Sequence, residues 1–336
     1  PFPLLAMALA RPLGTVPFMM PARLAATPPG TAIEDATGSG PFRYLPAERE
    51  GMFRAAYARH AGYRPRPEPL SLLAGGKIAG LDRVAFLYIP DLAIATFELY
   101  GGTAQYWRTL EAEAVPRLAT NPDATLRPRD PFGDTALLRL NHRSAPFDDA
   151  RIRQAARLAI DHQALTALLG ATVADARVCT TAFPCGLPGS PATAAATQPV
   201  EERRIAARRL LRDAGYDGKP VVLLTARDQA IADALSRAVA DQLRRVGFMV
   251  VLHEMIWPEL AQRRQSVAPS DQGGWSAFVT RWPALDLASP GWNEALRTTG
   301  AEAWFGWPED PALEGLRQDW IDAASDEQRQ RLHAAI

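Results

Sequence analysis

Apolar residues recur at two different periods along this chain, and the changes of period predict its elements. The clearest unit lies between 221 and 252. Val221-Val222-Leu223-Leu224-Thr225 is an unbroken apolar run that predicts a buried strand. Ile231, Leu235, Ala238, Val239, Leu243 and Val246 then fall on one helical face, Gly247 closes that helix, and Val250-Val251-Leu252 predicts the next strand. Two strands joined through such a helix pair in parallel, by a right-handed crossover.

Upstream of that unit, Ile152, Ala155, Ala156, Ala159 and Ile160 recur at helical spacing after Asp148, which predicts an N-cap. Asp161 and Gly170 bracket a second short helix. A third runs over 202–214, with Ile205, Leu210 and Leu211 as its apolar positions, and stops at Gly215. Residues 1–135 carry turn residues between short β-prone runs such as Arg83–Ile89, with a short helix at Leu92–Leu99. A second segment opens with the β-prone stretch Ala136–Asn141, and Ala192–Thr197 has the small-residue composition of a linker. The mixture predicts an α/β chain.

The 336 residues exceed the usual size of one hydrophobic core, so two lobes or one large domain are expected. Lys+Arg and Asp+Glu both number 37, which removes the basic excess that phosphate neutralisation requires of a nucleic-acid binder. Only Lys77 and Lys219 are lysines, a bias that a GC-rich genome explains as well as any anion chemistry. No apolar run reaches the roughly 20 residues that cross a bilayer. Pro1–Ala10 is apolar but lacks a preceding basic flank and a cleavage site, so it does not read as a signal peptide. We read the chain as a portion of a longer protein, so that any targeting segment is expected outside it.

Enzyme signatures are missing: G-x-S-x-G, H-E-x-x-H, G-x-x-x-x-G-K-[ST] and G-x-G-x-x-G do not occur. Gly75-Gly76-Lys77 resembles the tail of a phosphate loop, but Ile78 stands where a magnesium-binding hydroxyl is needed, and a surface turn is the expectation. His60, His142, His162, His253 and His333 are dispersed and none is spaced as a metal pair, so neither a metal nor another cofactor is expected. Cys179 and Cys185 form either a local disulfide, if the compartment is oxidising, or two buried thiols. Asp286 follows Trp282 at the end of a β-prone stretch, where a carboxylate either caps a turn or holds a ligand. Arg263-Arg264 reads as a solvated helix end rather than an anion clamp.

Several stretches, in order, resemble one family. Gly38-Ser39-Gly40-Pro41-Phe42, Asp82-Arg83-Val84 with Ile89-Pro90-Asp91, and Asn141 followed by Pro146-Phe147-Asp148-Asp149 and Arg151-Ile152-Arg153-Gln154-Ala155 are similar to motifs of the family 5 solute-binding proteins of peptide-type ABC importers. Ala214-Gly215-Tyr216-Asp217-Gly218, Leu243–Gly247, Gly273-Gly274-Trp275 and Trp304-Phe305-Gly306-Trp307-Pro308 extend the resemblance over nearly the whole chain.

The resemblance implies a periplasmic-binding-protein-like II fold, a monomer of two lobes that closes on its solute and hands it to ABC permease subunits, with no catalysis. Residues 1–140 would be the remainder of an incomplete lobe one, 141–336 most of lobe two, and Asn141 a hinge crossing. The solute would be a peptide or peptide-like molecule, with a nickel complex, a sugar or an opine as the alternative. An exported family also implies a periplasmic location and a Cys179–Cys185 disulfide.

In dipeptide and oligopeptide receptors an aspartate in a motif like G-W-x-x-D-x-x-[DE]-P binds the ligand amine. Asp286 and Pro290 match, Trp282 stands one residue early, Pro283 takes the usual tryptophan position and Ser289 replaces the second acid. Arg227, and after it Arg264, is the expected partner of the ligand carboxylate. Gln105 replaces the acid of the family's "GE-x-D", while Tyr106 and Trp107 would line the cleft.

Overall fold

The computed structural model describes residues 4–9, 19–28, 31–71, 74–108, 114–127, 130, 132–170, 177–179, 181–187 and 198–336. The linker expected at 192–197 lies outside them. Its contacts fall into two compact units, residues 6–129 and residues 130–336 with 1–5. Two short helices, α1 (Leu5–Leu9) and α2 (Ala22–Ala25), come first.

The smaller unit carries an antiparallel sheet in the order β1 (Phe42–Tyr44), β2 (Arg54–Arg59), β3 (Arg83–Leu87), followed by α3 (Leu92–Tyr100) and α4 (Ala114–Ala119). Tyr44 lies opposite Tyr57, and the Tyr57 ring meets Phe86 edge-on at 5.8 Å. Arg54 and Arg83 both pair with Glu48 across this sheet. Asp91 caps α3 by accepting a hydrogen bond from the Ile94 amide at 2.9 Å. A Cβ on Gly75 would lie 2.0 Å from the Pro69 carbonyl oxygen, and one on Gly76 2.2 Å from that of Arg66. These glycines serve a close crossing of two backbone stretches rather than a phosphate cradle. Among the described residues 6–127, only Ala56, Ala114 and Leu118 are buried apolar residues.

The larger unit is built on a four-stranded sheet in the order β4 (Asp134–Leu140), β7 (Ala277–Pro283), β5 (Val221–Ala226), β6 (Val250–Met255). β5 is parallel to both β6 and β7, whereas β4 runs antiparallel to β7. The helices are α5 (Ala150–Ala159), α6 (His162–Gly170), α7 (Val200–Asp213), α8 (Ala230–Val246), α9 (Trp257–Arg263), α10 (Pro311–Asp322) and α11 (Asp326–Ala335). Successive strand residues point to opposite faces. Leu138, Leu140, Val221, Leu223, Ala277 and Val279 therefore share one face with the apolar residues of α5, α7 and α8. Leu224, Ala226, Met255 and Phe278 face the other way, against Leu260, Trp275 and Trp307. Burial on both faces is why β5 reads as a continuous apolar run.

β4 pairs along its whole length with β7, so it belongs to the larger unit, which takes up the chain at residue 130. Two sequence expectations shift. The N-cap of α5 is Asp149, whose carboxylate accepts the Arg151 amide at 2.7 Å, because Asp148 is still part of the turn that buries Phe147. Ile205 is 60% exposed, since α7 buries Arg204, Ala207 and Leu211 instead. Gly247, at φ +109°, ends α8 in the left-handed region that glycine tolerates best.

Cys179 and Cys185 are joined by a disulfide. Phe183, inside the closed loop, is buried and meets the His333 ring of α11 edge-on at 3.9 Å. The loop thereby anchors the last helix.

The contrast in buried apolar residues predicts that limited proteolysis removes the smaller unit first and leaves a core spanning 130–336. Mass spectrometry of the surviving fragment checks this, and survival of 6–129 in its place would refute it. With a sequence separation of 6, the disulfide closes a short loop. Its chain-entropy contribution is about 2 kcal/mol, at the low end of the usual range. Reductant should therefore lower the urea midpoint of the wild type but not that of a Cys179→Ser/Cys185→Ser variant.

Candidate functional site

The second face of the large sheet gathers an unusual set of rings. β7 sends Phe278 and Trp282 to this face, two residues apart twice over, and Arg139 of β4 stands opposite Phe278 in register. The turn after residue 294 brings up Trp304 and Phe305, and α9 contributes Trp257 from its first position. Trp304 is central: its ring lies 5.1 Å from Trp282, 5.7 Å from Phe278 and 5.6 Å from Phe305. Trp257, Trp282, Trp304 and Phe305 are all half-buried.

Two arginines enter this cluster and are treated differently by it. Arg139 donates from Nε to the Phe305 carbonyl at 2.6 Å, from Nη1 to Ala295 at 2.8 Å and from Nη2 to Trp304 at 3.1 Å, and its guanidinium stacks over the Trp304 ring at 5.1 Å. Burial lowers its pKa to about 10. Each of its three nitrogens donates to a carbonyl, so dipoles offset the charge and the turn is fastened to β4. Gly306 completes the fastening: at φ +97° its Cβ would lie 2.4 Å from the Leu140 carbonyl oxygen.

Arg264, at the C-terminal end of α9, is surrounded by rings. Its guanidinium carbon lies 4.7 Å from the Phe305 centroid, 5.2 Å from Trp257 and 5.8 Å from both Phe278 and Trp304. Among the described residues its side chain makes no hydrogen bond or ion pair, its Nε is buried without a partner, and burial lowers its pKa. The solvated helix end expected from sequence is thus wrong for Arg264, because the aromatic turn at 304–305, remote in sequence, folds over it. Arg263 instead donates to the Gly274 carbonyl at 3.1 Å.

Asp286 is half-buried in the 3-10 turn Ala284–Leu287 that follows β7 directly, four residues beyond Trp282. Arg227 is exposed at the end of β5, its amide donating to the Met255 carbonyl at 2.9 Å, and the neighbouring Asp228 accepts the Trp257 amide at 2.7 Å. The fold therefore brings Trp282 and Arg264 onto one tryptophan, with Asp286 on the adjoining turn and Arg227 beside the start of α9. Tyr106, exposed, and Trp107, half-buried, belong to the smaller unit. Asn141 is 1% exposed inside the larger unit, where its Nδ2 donates to the Trp275 carbonyl at 2.9 Å and its amide to Ser276 at 2.8 Å. Sequence reasoning missed Arg139, Trp257 and Trp304. A charged residue inside the apolar run Ala136–Leu140 was the available signal for the first. Among the described residues, no group of three or more potential metal ligands occurs, and no helix is long and apolar enough to cross a membrane.

Residues 1–302 match the family described as bacterial extracellular solute-binding proteins, family 5 Middle. The chain is 28% identical to the "Probable peptide ABC transporter periplasmic-binding protein" of Sinorhizobium fredii, over 96% of this chain and 63% of that protein. It is likewise 28% identical to the glutathione-binding protein GsiB of Salmonella typhimurium, over 61% of this chain and 38% of GsiB. Among solved structures, the DppA periplasmic binding protein of Helicobacter pylori, in complex with the peptide STSA, superposes with a TM-score of 0.66 at 18% identity, covering 89% of this chain and 54% of DppA. The chain thus spans less than two thirds of the length of these relatives, and the structural likeness shows the same two-lobed α/β fold.

His142, beside Asn141, yields a pH test. Its amide donates to Gly306, and burial, reinforced by Arg153 and Arg139, lowers its pKa to about 4. In the unfolded chain the same imidazole takes a proton near pH 6.5. Between those values the unfolded state binds the extra proton, so stability is full above about pH 6.5 and declines as pH falls toward 4. His162, His253 and His333 are lowered too, each chiefly by burial, and add to the slope. Allowing for solvent screening of a half-buried ring, His142 should account for about 1 kcal/mol. Urea midpoints at about pH 7.5 and 5 should differ less for His142→Gln than for the wild type, and an unchanged difference would refute the assignment.

Proposed function

Because the chain belongs to the bacterial extracellular solute-binding proteins of family 5, we propose that it captures peptides or peptide-like solutes for an ABC-type importer. The family is one of extracytoplasmic transport receptors rather than enzymes. In our reading this chain works in the periplasm as a monomer, passes its solute to permease subunits and performs no chemistry on it. That the Sinorhizobium relative carries a peptide-transporter name, and that GsiB is a glutathione-binding protein, supports a peptide-like solute.

One observation carries the site assignment: Arg264 is a half-buried cation, ringed by aromatics, with no carboxylate partner among the described residues. A guanidinium whose faces are covered by rings keeps its N–H edges for a planar anion. We assign Arg264 to the solute's carboxylate, Trp282 to packing against its backbone and Asp286 to its amino group. Arg227, more exposed, is the secondary anion contact. An amine and a carboxylate are common to all free peptides, so two fixed charges recognise the class without reading side chains.

Truncating one partner of a desolvated charge pair costs about 2–5 kcal/mol, largely because the other charge is stranded. Calorimetry with tri-alanine should therefore show Asp286→Ala and Arg264→Gln each binding more than about tenfold more weakly. N-acetylation of the peptide should reproduce the first loss and C-terminal amidation the second. Glu259→Ala, on the exposed first turn of α9, should bind like the wild type. Equal binding of the free, acetylated and amidated peptides would overturn the assignment and favour a non-peptide solute.

A further inference from the structure

The segment that follows the Asp286 turn is held against α10. Arg317 of α10 is 5% exposed, and its Nε donates to the Pro290 carbonyl at 2.9 Å. Its Nη1 donates to both carboxylate oxygens of Glu314, at 2.8 and 2.7 Å. Glu314 in turn accepts the Thr298 amide at 2.6 Å and the Thr298 hydroxyl at 3.2 Å. One ion pair on one helix thus holds the backbone at 290 and at 298.

Between those points Asn293, 1% exposed, donates from Nδ2 to the Leu287 carbonyl at 2.9 Å and accepts the Ala295 amide at 3.0 Å. Leu287 is the residue after Asp286. Gly291 lies against Trp320 so closely that a Cβ there would be 3.1 Å from its ring.

A buried ion pair contributes little net stability compared with apolar side chains of the same volume. What directional bonds of this kind do supply is a fixed geometry. Here they converge on the backbone just after the Asp286 turn. We infer that Arg317, held by Glu314, is a positioning residue that sets the Asp286 carboxylate for the solute's amine. This rests on the reading of Asp286 given above.

The test uses the intact protein, titrated with tri-alanine and with its N-acetyl derivative. Arg317→Lys keeps the charge but loses the Nε donor to Pro290. Gly291→Ala presses the turn away from Trp320 and leaves the ion pair whole. Each should weaken tri-alanine binding about tenfold, leave the N-acetyl peptide unaffected and add nothing further in an Asp286→Ala background. Thermal melts establish that the variants are folded, and if Arg317→Lys does not fold, Gly291→Ala decides alone. Unchanged tri-alanine affinity in folded variants, with Asp286→Ala still impaired, overturns the positioning role and leaves the amine anchor standing. Equal losses for both peptides also overturn it, since they indicate a general structural effect. If Asp286→Ala changes nothing, the anchor and the positioning role fall together.

Discussion

The larger unit's second face depends on Arg139. A lone charge in the middle of a strand is costly unless it is hydrogen-bonded, and here each of its three nitrogens donates to a carbonyl of the 295–305 turn. Fixing those carbonyls fixes Trp304, and Trp304 touches Trp282, Phe278, Phe305 and Arg264. Without the arginine, the turn would lose the bonds that align it with β4, and apolar burial alone would be left to hold the rings together. Gly306 and the positive φ of Trp307, +46°, are the backbone's accommodation to that close approach.

Much of this fold was legible because it is local. The run Val221–Thr225, the helical face from Ile231 to Val246 and Gly247 together specify a βαβ unit whose strands pair in parallel as expected. Period alone could not specify partners distant in sequence. β4 reads as a β-prone stretch opening a second segment, but nothing in its pattern names β7, more than a hundred residues on, as its partner. The exposed Ile205 is the same lesson at a helix, where the small Ala207 lets α7 approach its neighbour and decides which stripe is buried.

The site was legible in part, and the division is again one of range. Trp282 and Asp286 lie close in sequence at a strand end, so a motif can point to both. Arg264 looks like an exposed helix terminus because the rings that cover it come from 257, 278, 304 and 305, its own helix and two stretches remote in sequence. A reading by local pattern gives an arginine after a helix to water by default. The aromatic run Trp304-Phe305-Gly306-Trp307 was visible, but not what it would cover.

Arg139 and Arg264 share a tryptophan, both lose solvation and both have lowered pKa values, yet they do different work. Saturating Arg139 with carbonyls closes it to any ligand and makes it a fastener. Enclosing Arg264 by rings takes water from its faces while providing no acceptor for its side chain among the described residues, and a cation–π contact repays only a small part of such a desolvation. On the proposed assignment, an arriving carboxylate would recover the remainder. Rigid rings cost little entropy to hold the cation ready, so the same residues that make Arg264 uncomfortable alone also preorganise it. If that assignment holds, the tension between a stable unit and a binding surface is confined to one side chain, while the neighbouring arginine fastens the surrounding turn.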